Sequence, residues 1–287
     1  MDPNTYKAPE ELLGELGIRQ PDDIDIEAIA EHCGAAIRVA HLTGCEARIV
    51  GSGDRAIITV RDDAPATRQR FSVGHELGHW MHDRGTVAFA CETEKMTGPW
   101  ASGTDCEARA NRYAANLLLP ASMFKPLAEG RSLTMDTVDR LATVFKMSRT
   151  ATAIRLVQYG SFPSLLVCND IHGRKWFARG VNVPDTVWPL DTPGRNTIAY
   201  DLLRGSASRE PVDVYADQWL ERTLARTYTL REDSVVIGSG LVLSLLWWTN
   251  EQPLIEMEEE SERRAARRSD GQDFDREEKR QPRWRSR

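Results

Sequence analysis

An α+β fold is predicted for this chain by three features of its residues. Strand-like runs at Ile37–Val39, Arg48–Val50 and Ala56–Val60 precede two strongly helical stretches, one around His75 and one around Asn111. A second group of strand-like runs begins after residue 160, and the chain closes on a long charged run. The predicted organisation is a helical unit with a small N-terminal sheet over 1–160, a smaller β-rich unit over 161–255, and a disordered charged tail over 256–287. With 287 residues and 41% hydrophobic content, the chain has room for one large or two modest cores.

Residues 8–17 and 25–33 read as short helices, and Gly51-Ser52-Gly53-Asp54 reads as the turn between the last two strands of the first group. From Thr67 to His82 there is no proline, and Phe71, Leu77, Trp80 and Met81 recur at roughly helical spacing, so this is a helix with one buried side. Gly74 and Gly78 inside it each cost about 1 kcal/mol relative to alanine, which implies that backbone or substrate passes close by. Thr86–Gly103 reads as a loop bordering a cleft. The helix beginning near Thr104 carries Glu107, Ala110, Asn111, Ala114 and Leu118 on one face, and the small residues there permit a close approach to the preceding helix.

Thr134–Gln158 reads as helix, tight turn, helix. After it come strand-like runs at Leu165–Cys168, Lys175–Ala178, Val212–Val214, Thr227–Leu230 and Val235–Ile237, with a turn at Asn169–Gly173 that contains His172. The apolar stretch Val235–Trp248 is broken by Gly238, Ser239 and Gly240, and reads as a buried hairpin too short to cross a bilayer. Trp176, Trp188, Trp219, Trp247 and Trp248 concentrate in this unit, as core filling or as a docking module. From Glu256 onward more than half the residues are charged, with acids and bases equal in number, and such a run buries too little apolar surface to fold alone. Its last dozen, Arg276–Arg287 around Trp284, is basic and reads first as a solvated tail, with contact to an acidic surface such as nucleic acid as the alternative.

The chemistry concentrates in His75-Glu76-Leu77-Gly78-His79. On a helix, side chains at i and i+4 share a face, so two imidazoles can grip one metal ion while Glu76 lies beside it, placed to take a proton from a metal-bound water. A catalytic zinc needs a third protein ligand. His82 lies roughly 10 Å along the axis from His75, at 1.5 Å per residue, too far for one ion to span all three histidines. Glu107 on the next helix is the better candidate, with Asp105 in reserve. A capping-box reading competes, in which Thr104 starts the helix and Glu107 bonds back to it. Asn111, one turn beyond Glu107, is placed to orient the ligand carboxylate.

Composition excludes several alternatives. Cys33, Cys45, Cys91, Cys106 and Cys168 form an odd, scattered set without CxxC spacing, which argues against a disulfide framework or a cysteine zinc knuckle. The N-terminus carries neither a basic nor an apolar leader segment, so a cytoplasmic location is the expectation. The helix-turn-helix pattern at 134–158 supports a second functional class, a DNA-binding regulator. The net charge of -6 and the lack of a dense basic face there weigh against it.

Arg68-Gln69-Arg70-Phe71-Ser72-Val73-Gly74-His75-Glu76-Leu77-Gly78-His79, with Glu107-Ala108-Arg109-Ala110-Asn111-Arg112-Tyr113-Ala114-Ala115 and Leu117-Leu118-Leu119-Pro120, resembles the ImmA/IrrE family of metallo-endopeptidases over roughly the first 155 residues. Tyr113 stands where that family more often has phenylalanine. The resemblance implies a zincin-like helical metallopeptidase domain in which His75, His79 and Glu107 hold Zn2+, or Mn2+, and Glu76 is the catalytic base. It also implies a protein substrate, a repressor or an antitoxin, that nothing in the sequence identifies.

Overall fold

The computed structural model describes residues 6–83, 88–91, 106–206, 210–221, 224–238 and 240–278. Thr104, Asp105 and most of the stretch 86–103 lie outside these, as do residues 279–287 with Trp284. The capping-box reading, the reserve ligand and most of the expected cleft loop therefore fall outside the described residues, except that 88–91 form a short strand.

The chain starts with two short helices. In α1 (Pro9–Glu15) a proline in the first turn presets φ, and Glu10 and Glu11 complement the helix N-terminus. In α2 (Ile26–His32) the Asp25 carboxylate accepts from the backbone N–H groups of Glu27 and Ala28 at 3.1 Å each. A four-stranded sheet follows, with β1 (Ala35–Ala40) parallel to β3 (Arg55–Arg61), β2 (Ala47–Ser52) antiparallel to β3, and β4 (Ala88–Cys91) on the edge beside β2. The β2–β3 turn is the one expected from its glycines, and Gly53 supplies a φ of 62°.

Period-2 alternation sends Ala47, Ile49, Ile58 and Val60 to the covered face of this sheet, against Leu77 and Trp80 of α3 (Ala66–His82). Gly51 is on the same face, and a Cβ there would meet the Trp80 ring at 2.4 Å. The Trp80 indole N–H donates to the Cys33 carbonyl at 2.9 Å. One tryptophan thus fixes the C-terminal half of α3 against both the sheet and the end of α2.

Four further helices complete the first unit: α4 (Cys106–Leu118), α5 (Ala121–Ala128), α6 (Met135–Phe145) and α7 (Arg149–Tyr159). The Thr134 hydroxyl caps α6 at the Thr137 N–H and the Ser148 hydroxyl caps α7 at the Ala151 N–H. Between them Lys146 is left-handed, with φ 54°. A side chain in that region costs energy that glycine avoids, so Lys146→Gly is expected to raise stability by about 0.5–1 kcal/mol, read as an increase in Tm.

The second unit is an antiparallel sheet in the order β6-β5-β9-β8-β7, built from β5 (Ser164–Asp170), β6 (Gly173–Arg179), β7 (Val212–Tyr215), β8 (Thr229–Ile237) and β9 (Leu241–Trp247), with α8 (Ile198–Leu202) packed on it. Alternation divides its side chains between two cores. Leu166, Cys168, Leu243, Leu245 and Trp247 join the core of the first unit, while Leu165, Val167, Val242, Leu246 and Trp248 form a second core with Trp219 and α8. The hydrophobic interior is therefore continuous across residue 160.

Two expectations are corrected. Thr227–Leu230 and Val235–Ile237 are not separate strands, because β8 runs unbroken through the polar residues between them. Buried Glu232 accepts from the Ala199 N–H and the Ser234 hydroxyl at 2.8 Å each, and Asp233 accepts from the Met135 N–H at the start of α6 at 2.7 Å. Partners supplied by distant helices make those polar residues compatible with a buried strand. The charged run from Glu256 is likewise not structureless over its described part. It is helical within α9 (Gln252–Glu278), whose Leu254 and Met257, one turn apart, close the second core.

Candidate metal centre

Two helices build the site. α3 and α4 run antiparallel at very close range: a Cβ on Gly78 would meet the Ala110 Cα at 2.9 Å and its carbonyl oxygen at 3.0 Å, and one on Gly74 would meet the Ala114 Cβ at 3.3 Å. The glycines of α3 and the alanines of α4 are thus the two halves of one contact, as the small residues in the sequence implied. This contact brings Glu107 to the two histidines.

His75, Glu76 and His79 are fully buried, and Glu107 is partly exposed. The Nε2 atoms of His75 and His79 lie 3.1 Å apart. The Glu107 carboxylate reaches both rings, with Oε2 at 3.3 Å from His75 Nε2 and Oε1 at 3.6 Å from His79 Nε2. A four-coordinate ion with bonds of about 2.0–2.1 Å spaces its ligand atoms about 3.3 Å apart, so the donors already stand at the edges of a shared coordination tetrahedron. Among the described residues, these three form the group of histidine, cysteine and acidic side chains able to hold a metal ion.

Protonation agrees with the geometry. The His75 and His79 rings beside it hold the Glu107 carboxyl well below the usual carboxylate range. Burial lowers the His75 pKa against the opposing pull of Glu107. A charged carboxylate beside a neutral imidazole is the ligand state that a divalent cation requires.

His82 stays outside the donor set, as its distance along the helix required. It is partly buried beside Tyr6, with ring centroids 4.8 Å apart, and edge-on to Tyr113 at 5.9 Å. Asn111 reaches the site through His75, its Oδ1 lying 2.9 Å from Nδ1 of the ring. The antiparallel crossing explains this, because one turn along α4 from Glu107 moves toward the N-terminal end of α3, level with His75. Sequence reasoning also missed the Gly51–Trp80–Cys33 contact that steadies α3, for which no local signal exists.

The helix-turn-helix pattern is realised as α6 and α7, but α7 buries every residue from Ala151 to Val157. Arg155, the cation in that run, is itself buried and bonds the Asn116 side-chain oxygen at 2.7 Å. A DNA-reading helix must present a polar face to the major groove, and in α7 only the ends, Arg149, Thr150, Gln158 and Tyr159, are partly exposed.

An α+β scaffold with two helix-borne imidazoles and a carboxylate from a neighbouring helix is the kind of centre that metallopeptidases use. Residues 33–157 match the model of the Peptidase_M78 family, described as the IrrE N-terminal-like domain, so this segment is similar to that family. No curated protein matches the chain. Among solved structures, one titled Mycobacterium tuberculosis transcriptional regulator superposes with a TM-score of 0.51 at 16% identity, covering 83% of this chain and 74% of that one. That likeness is one of fold, and it extends past the peptidase-family segment into the second sheet. No helix of the described residues is long and apolar enough to cross a membrane.

Proposed function

We propose that the chain is a zinc-dependent endopeptidase with a zincin-like catalytic domain over 1–160, acting in the cytoplasm on a specific regulatory protein such as a transcriptional repressor or an antitoxin. The observation that carries this reading is the convergence of His75 Nε2, His79 Nε2 and the Glu107 carboxylate at coordination spacing, with Glu76 buried in the same helical turn. His75, His79 and Glu107 would hold the ion, and Glu76 is the catalytic base. When bound, such an ion supplies Lewis acidity and lowers the pKa of a coordinated water from 15.7 toward about 7. The Glu76 carboxylate accepts the proton released by the attacking water and delivers it to the leaving amine as the peptide C–N bond breaks.

The regulatory setting draws on the ImmA/IrrE relationship and on the regulator whose fold the chain shares. Its test is direct. Purified protein, stripped with chelator and reloaded with zinc or with manganese, is incubated with the proteins encoded beside it, and the products are read by mass spectrometry. One discrete, chelator-sensitive cut is expected, along with about one metal ion per chain at the three-donor set. A protein that takes up no metal, or a cut unaffected by chelator, sinks the reading.

A further inference from the structure

We propose that Asn111 is a positioning residue that selects the tautomer of His75 and so turns its Nε2 lone pair toward the metal position. The inference rests on the metal-centre reading above and assigns the residue that makes one of its ligands competent. A neutral imidazole carries one N–H, and only the nitrogen without it can bind a cation. His75 Nε2 faces His79 and Glu107 at 3.1 and 3.3 Å, so when an ion is held there the proton must sit on Nδ1. His75 Nδ1 lies 2.9 Å from Asn111 Oδ1, and an amide oxygen can only accept. The ring is fully buried and the amide nearly so, so the acceptor is held within the protein interior.

The placement also explains why one helix carries both groups. Glu107 and Asn111 are four residues apart on α4 and share a face, so the contact that delivers the ligand carboxylate delivers the acceptor to the opposite side of the His75 ring. The same close packing of Gly78 on Ala110 sets both distances. Partners of this kind fix ring orientation and ligand basicity, and their loss typically weakens metal binding by about 10–100-fold.

The test compares Asn111→Leu, which keeps the approximate shape and removes the acceptor, with Asn111→Asp, which restores an acceptor to Nδ1–H. Zinc affinity is measured by competition with a chromophoric chelator, and the imidazole N–H of His75 is followed by 15N-resolved NMR on the zinc-loaded protein. Asn111→Leu is expected to bind zinc about 10–100-fold more weakly and to lose the protected Nδ1–H resonance of His75. Asn111→Asp is expected to recover both, while the resonances of His79 stay in place throughout. Wild-type affinity in Asn111→Leu, or an Asn111→Asp protein as weak as Asn111→Leu, overturns the assignment. Should Asn111→Leu fail to fold, a hydrogen-bonded His75 Nδ1–H in the wild type and in Asn111→Asp still supports it, and its absence from both overturns it. The affinity pattern without any proteolysis would uphold the positioning role and remove the peptidase reading, so the two fail separately.

Discussion

Glu76→Gln is expected to bind metal as the wild type does and to lose cleavage by about 10²–10⁴-fold, the range over which a positioned general base accelerates proton transfer. The substitution keeps the shape of the side chain and removes only its basicity. His75, His79 and Glu107 remain in place, so metal content and Tm should hold while turnover collapses. Glu76 belongs to the same helical turn as both histidines and is fully buried. A glutamine there is therefore held in the same position without the ability to take the proton. Metal analysis, thermal melting and cleavage rate measured on one preparation decide the matter, and an active Glu76→Gln protein would remove the proposed mechanism.

Gly78→Val is expected to cost stability at the upper end of about 1–3 kcal/mol, the penalty for forcing atoms into a packed interior. Its Cβ would stand 2.9 Å from the Ala110 Cα and 3.0 Å from both the Ala110 oxygen and the Tyr113 Cβ, and two of those three are backbone atoms that cannot rotate away. Helix α4 must then move outward and carry Glu107 with it. For a domain of this size, 3 kcal/mol corresponds to a fall in Tm of roughly 6–12 °C, and metal affinity should fall in parallel. Gly74→Ala supplies the contrast. There the added methyl meets the Leu118 Cδ1 at 3.2 Å and the Ala114 Cβ at 3.3 Å, of which the leucine tip can shift. The better helix propensity of alanine, about 1 kcal/mol over glycine, should largely offset that contact. Equal losses from the two substitutions would contradict the described helix packing.

Much of the fold was legible from local pattern. Alternation identified β1 to β3, the 3.6-residue period identified α3 and α4, and Thr134 and Ser148 stand at the helix starts where their hydroxyls cap. The failures share one cause. β8 was split because Arg231-Glu232-Asp233-Ser234 is polar, and only the approach of the helix starts at Met135 and Ala199 gives those side chains their partners. The helical start of α9 was missed because Leu254 and Met257 signal little until the second core is there to receive them.

The spacing of His75, Glu76 and His79 is an i, i+1, i+4 pattern on a helix, and a helix of fixed pitch converts that spacing into a shared face whatever surrounds it. For this reason the residues alone determined which imidazoles meet and which acid lies beside them. Tertiary structure decided what no spacing encodes: that Glu107 crosses to both rings, that Asn111 meets the His75 ring, and that the middle of α7, Ala151–Val157, is buried. Those outcomes depend on how close two helices lie and in which direction they cross, and both are set by the packing of Gly78 on Ala110 and of Trp80 on Gly51, between residues far apart in the chain.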